Sequence, residues 1–133
     1  VYSLLPDAAL FLDQRSPAYM GAMTQFLSGP NLTHMFSELT AAVRKGGVAA
    51  TAKGTTEDHF DGWVAFAESM EAMMGAAAQQ MAAIATQGRS GPLAVLDVAA
   101  SHGLFGFSIA KAYPEASLTA LDWPNVLAIT QAN

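Results

Sequence analysis

The chain has 133 residues, about the size of one domain, of which 52% are hydrophobic and 13% charged. That balance supplies side chains for a core and excludes disorder on grounds of composition. A net charge of −5 lacks the basic footprint of a nucleic-acid binder; zero cysteines exclude disulfides and thiolate metal sites and fit a reducing, cytoplasmic compartment.

The opening Val-Tyr-Ser-Leu-Leu-Pro-Asp has no positive region followed by a long apolar run, so it does not read as a signal peptide. No stretch reaches the roughly 18 consecutive apolar residues of a membrane span. A start at Val1 and an abrupt end read as a piece of something longer. Ser16-Pro17 is a cap and first-turn pair that predicts a helix to about Leu27, stopped by Ser28-Gly29-Pro30. Asn31 is placed to cap a second helix. Its Leu32, Met35, Phe36, Leu39 and Val43 share one face, and Arg44-Lys45 and then Gly46-Gly47 close it.

Residues 48–55 are small and polar and read as a loop. Thr56 is the predicted cap of a long helix, with Glu57 and Asp58 in its first turn. That helix carries Phe60, Trp63, Phe66, Ala67, Met70, Met73 and Met74 on one broad face, and Gly75 is the point where it would bend. Gln87-Gly88-Arg89-Ser90-Gly91-Pro92 breaks the pattern and divides the chain into a helical region, 1–88, and a strand–helix region, 89–133. Leu93–Val98 has the apolar run of a parallel strand covered on both faces. Phe105, Ile109 and Tyr113 pack the next helix on it, and Pro114 ends that helix. Leu118–Leu121 is a second strand, and Pro124 opens a last helix bearing Val126, Leu127 and Ile129.

The chemistry concentrates between these strands. The order Asp97-x-Ala99-x-Ser101-x-Gly103 puts an acid at the end of a strand, then a small-residue turn, then a helix start. Small residues let a ligand approach the backbone, and the helix N-terminus adds a favourable dipole. Asp122 ends the second strand, 19 residues past Gly103. A carboxylate there is placed to accept hydrogen bonds from both hydroxyls of a ribose. A dinucleotide dehydrogenase would place G-x-G-x-x-G in the turn with no acid before it.

The acid-first order resembles motif I of class I S-adenosylmethionine-dependent methyltransferases, acid-x-Gly-x-Gly-x-Gly, with Ala99 and Ser101 standing where that motif has its first two glycines. Alanine and serine tolerate positive φ poorly and add bulk at the turn. Asp122-Trp123-Pro124-Asn125-Val126 is similar to the Asp-Leu-Pro-x-Val element of the plant-type small-molecule O-methyltransferases, a family with bacterial members. Phe66-Ala67-Glu68-Ser69-Met70 resembles their Phe-x-x-x-Met segment, and Tyr2-Ser3-Leu4-Leu5-Pro6 resembles the end of their N-terminal dimerisation domain. The resemblance spans essentially the whole chain as a middle slice of such a protein.

It implies an α/β fold, in which a helical dimerisation and substrate-pocket region precedes the start of a Rossmann-like sheet. It also implies an enzyme that methylates the hydroxyl of a small molecule with S-adenosylmethionine, working as a homodimer. Asp97, Ala99, Ser101, His102, Gly103, Asp122 and Trp123 are the cofactor-binding candidates, and Trp63, Phe66 and Met70 the substrate-binding ones. The family's catalytic base is a histidine farther downstream with no counterpart in these residues, so the fragment alone is expected to be inactive. Other readings of the same residues stay open. Asp97 and Asp122 also suit turn and helix caps, Phe66 and Met70 suit core packing, and His102 suits either cofactor contact or turn filling. His59 beside Asp58 and Asp61 gives no closed ligand set, so no metal site is expected. A non-catalytic dimerisation or cofactor-fold module is the first alternative function, and an NAD-dependent oxidoreductase the second.

Overall fold

The computed structural model describes residues 2–49, 54–57 and 59–133. Two compact units divide the chain, Val1–Ala72 and Met73–Asn133. In the first, α1 (Pro6–Leu12) opens on a proline at its start, where the missing N–H costs nothing. The helix expected from Ser16 begins only at Met23, giving a short α2 (Met23–Leu27). The reason is tertiary. Met20 N–H donates to Phe11 O at 2.9 Å, which folds the chain back on α1, and Ser16 Oγ caps only a turn, accepting from Ala18 N–H at 3.2 Å.

The second expected helix divides at Glu38 into α3 (Pro30–Ser37) and α4 (Leu39–Lys45). Gly29, not Asn31, holds the cap position, because Pro30 takes the first turn. Leu32 and Met35 are half-buried, whereas Phe36, Leu39 and Val43 are exposed. Gly46 ends α4 at φ 76°, the left-handed conformation that glycine adopts freely. Of the expected loop at 48–55, residues 50–53 lie outside the described residues, as does Asp58.

Thr56 does not cap the long helix. It lies in a single 3₁₀ turn at 54–56, and α5 (Asp61–Thr86) begins after Phe60 and Trp63 N–H groups have closed turns onto Glu57 O and Phe60 O. The run of Ala, Met, Glu and Gln suits a helix interior, and α5 passes through Gly75 without a break. Ala67 and Met70 are buried on it, and so, farther along, are Ala78 and Ala82.

In the second unit, β1 (Leu93–Val98) and β2 (Ala116–Leu121) pair in parallel, from Leu93 opposite Ala116 to Val98 opposite Leu121. Between them runs α6 (Leu104–Ala112), and α7 (Pro124–Ala132) follows with Pro124 in its first turn. Helix α6 packs on both strands and α7 on β2. Alternate strand residues therefore differ: Leu93, Val95, Leu118 and Ala120 are half-buried, while Leu96, Val98 and Leu121 are 62%, 63% and 54% exposed. The expected cover on both faces of the strands is met on one face. The core here is formed by Ala100, Ile109 and Val126, with buried Thr130 and His102 among them. No helix among the described residues is long and apolar enough to cross a membrane.

Candidate functional site

The turn from Val98 to Leu104 sits at the C-terminal ends of both parallel strands, the side on which open α/β sheets bind ligands. Its backbone alternates. Ala99, Ser101 and Gly103 have φ of 59°, 55° and 79°, so the turn keeps a left-handed conformation at two positions that carry a Cβ. Each such residue costs roughly 1–2 kcal/mol relative to a right-handed one. Hydrogen bonds, most of them from residues distant in sequence, hold this conformation in place. Ala99 and Ala100 N–H donate to Leu121 O at 2.8 and 3.2 Å, Ser101 N–H donates to Asp122 Oδ2 at 2.8 Å, and Gly103 N–H donates to Ala100 O at 2.7 Å. On the carbonyl side, Thr130 Oγ1 donates to Ser101 O at 2.6 Å and Asn133 Nδ2 donates to His102 O at 3.0 Å.

Gly103 has no room for a side chain. A Cβ there would lie 2.5 Å from Phe107 Cε2 and 2.8 Å from Thr130 Cγ2, in addition to the left-handed φ. Gly106, in the first turn of α6, is equally confined: a Cβ would come within 2.7 Å of Leu118 Cδ1 and 2.8 Å of Asp97 Oδ2. It marks a close approach of the helix to side chains of the sheet, the role of the last glycine in Rossmann-type turns.

Asp97 points under α6, where its Oδ2 accepts Gly106 N–H at 2.9 Å. Burial pushes its pKa above the usual carboxylate value. The Gly106 N–H and the neighbouring His102 oppose that rise, and the charge of Asp122 adds to it. Asp122 is half-buried, with Oδ2 on Ser101 N–H and Oδ1 on Trp123 N–H at 2.7 Å. A carboxylate oxygen has room for more than one donor and each of these has one, so both retain acceptor capacity. Trp123 is 37% exposed beside it. His102 is 3% exposed; its Nδ1 accepts Leu104 N–H at 3.1 Å, and its ring stacks on Phe105 with centroids 6.5 Å apart. Ser101 Oγ is buried without a partner. Asp97, Ala99, Ser101, His102, Gly103, Asp122 and Trp123 thus converge on one turn and the two strand ends beside it.

The other three candidates lie on α5. Trp63 and Phe66 meet edge to face at 6.0 Å, and Phe66 meets Phe26 in the same way at 5.3 Å. Trp63 Nε1 donates to Thr55 O at 2.9 Å. Trp63 also lines an apolar pocket of about 250 Å³ with Phe26, Leu32, Met35 and Phe60, with Gln25 and Asn31 among its other lining residues. Phe66 touches the lining rings of Trp63 and Phe26 without being part of the lining, and Met70 is buried at 6% exposure. Among the described residues no group of His, Asp and Glu is arranged to hold a metal ion.

Thr130, Asn133 and the close approach at Gly106 were not legible as site features. Thr130 and Asn133 lie 29 and 31 residues beyond the carbonyls they bind, and only the path of α7 brings them back. Gly106 did carry a signal, three residues past Gly103 at a helix start, as the last glycine of a Rossmann fingerprint does.

No family model and no curated protein matches the chain. Among solved structures, the crystal structure of a "putative O-methyltransferase" from Nostoc punctiforme PCC 73102 superposes with a TM-score of 0.91 at 42% sequence identity. The match covers 99% of this chain and 39% of that one, so the chain spans well under half the length of the protein it resembles. The likeness takes in both the helical region and the two-stranded parallel sheet, and at that identity it goes beyond shared topology. The chain therefore has the O-methyltransferase fold, as a helical region followed by part of a Rossmann-like methyltransferase sheet.

Proposed function

We propose that this chain carries the cofactor half-site of an S-adenosylmethionine-dependent O-methyltransferase that acts on the hydroxyl of a small molecule. The observation that carries the reading is the position of Asp122. Its carboxylate ends β2 beside the turn and is oriented by the N–H groups of Ser101 and Trp123, with acceptor capacity left on both oxygens. Two ribose hydroxyls suit that capacity, and Trp123 offers an aromatic face next to it for a base. The unpartnered Ser101 Oγ is a further polar group that a ligand at this turn would satisfy. S-adenosylmethionine, when bound, supplies an activated methyl group.

The chain's own residues bind and orient. Asp122 holds the ribose, Ala99 to Gly103 shape the wall beside the methionine portion, and Asp97 braces that wall through Gly106. The apolar pocket lined by Phe26, Leu32, Met35 and Trp63 is of a size for a small organic acceptor, with Phe66 edge to face on the Trp63 ring and Met70 buried farther along α5. The base that takes the acceptor's proton is not among the residues placed here, so residues 1–133 alone bind without turning over. The protein works as a cytoplasmic homodimer.

Calorimetry on the chain tests this reading. S-adenosylmethionine is expected to bind, and Asp122→Ala is expected to weaken it by roughly 10- to 100-fold, the worth of hydrogen bonds to a charged group. The rise in Tm that the cofactor gives the wild type shrinks in parallel. Tight binding of NAD with none of S-adenosylmethionine would reject the reading.

A further inference from the structure

Ser101 is held at both ends of its peptide by residues far away in sequence. Its N–H donates to Asp122 Oδ2 and its C=O accepts from Thr130 Oγ1, at 2.8 and 2.6 Å. Between these two bonds the residue keeps φ at 55°, a conformation that glycine adopts freely and serine avoids. Thr130 is 4% exposed on the inner face of α7, with its methyl close over Gly103. Its hydroxyl reaches the strained residue while its methyl closes the space above the adjacent glycine. Asn133, one helical turn farther on, donates in the same way to the next carbonyl, that of His102.

We infer that Thr130 is a positioning residue for the cofactor turn, its hydroxyl holding Ser101 in the left-handed conformation that lets Ser101 N–H meet Asp122. The inference rests on the reading of this turn as an S-adenosylmethionine site. Without the hydroxyl, Ser101 relaxes toward negative φ, its N–H swings away from Asp122 Oδ2, and the carboxylate loses the contact that aims it at the ribose. A threonine on α7 thus does from outside the turn what a glycine would do from within it.

The test is S-adenosylmethionine titration of the full 133-residue chain by calorimetry. Thr130→Val keeps the shape and removes the donor, and is expected to weaken binding about tenfold, as for one buried hydrogen bond with its partner left unsatisfied. Thr130→Ser keeps the donor and is expected to stay within about threefold of wild type. Ser101→Gly added to Thr130→Val restores binding, because glycine needs no clamp. If Thr130 only packs, the order reverses: Thr130→Ser, which loses the methyl, binds worse than Thr130→Val, and Ser101→Gly rescues nothing.

Proton NMR gives the readout on the turn itself. A strong intraresidue HN–Hα contact at Ser101, the mark of a left-handed residue, is expected in wild type and Thr130→Ser and lost in Thr130→Val. Should Thr130→Val fail to fold, the Ser101→Gly/Thr130→Val pair decides. A folded, binding double variant supports the clamp, and an unfolded one overturns it. Unchanged binding in Thr130→Val overturns the inference alone. Absence of binding by the wild type overturns the cofactor reading and the inference with it.

Discussion

Asp97 shows how one residue serves the fold against its own preference for water. Burial raises its pKa, so the folded chain binds this proton more tightly than the unfolded chain does. The sign follows from linkage. Its contribution to stability is fully present below the ordinary value of 3.8 and is lost as pH rises through the higher folded value. Asp13 behaves oppositely. Its bonds to Arg15 lower its pKa to about 2, so its contribution is present above 3.8 and is lost as pH falls toward 2, and the exposure of Arg15 to solvent keeps it small. Thermal unfolding across the acid range is therefore expected to show a decline in Tm, as pH rises through the carboxylate range, that Asp97→Asn flattens, since the amide oxygen still accepts Gly106 N–H. Parallel curves for the two proteins would contradict this account. The acid was legible in the sequence because it breaks an apolar run at a strand end. Its partner was not, since a backbone N–H nine residues away leaves no mark on composition.

At the scale of elements, the closeness of α6 to the sheet is set by Gly106. A side chain there meets Leu118 and Asp97 before it meets space. Gly106→Val is expected to lift the helix and cost about 1–3 kcal/mol by overpacking, measured by urea denaturation. A loss below about 0.5 kcal/mol would show that the helix has room to move. The strand–helix–strand unit was readable in the sequence because its signals are local: apolar runs, acids at their ends, and prolines at 114 and 124 next to helix boundaries. The helices of the first unit were drawn less well. Local caps at Ser16 and Asn31 lost to a long-range bond from Met20 to Phe11 and to Pro30 taking the first turn of α3. A capping side chain contributes about 1 kcal/mol, which tertiary contacts readily exceed.

For the whole molecule, two surfaces stand out. One carries the exposed Phe36, Leu39 and Val43 of α3 and α4, and the other is the outer face of the sheet, where Leu96, Val98 and Leu121 stand in water. Light scattering at neutral pH is expected to give the mass of a dimer, and a monomer mass at every concentration would reject the proposed homodimer. The same instrument, followed toward acid, bears on the bare face of the sheet. At neutral pH the net charge of −5 opposes association beyond the dimer. Near pH 4.9 that repulsion vanishes while the apolar side chains remain in place. The colloidal behaviour of this chain thus follows the balance between its net negative charge and its exposed apolar side chains, these strand residues among them, with the narrowest margin of solubility at its isoelectric point.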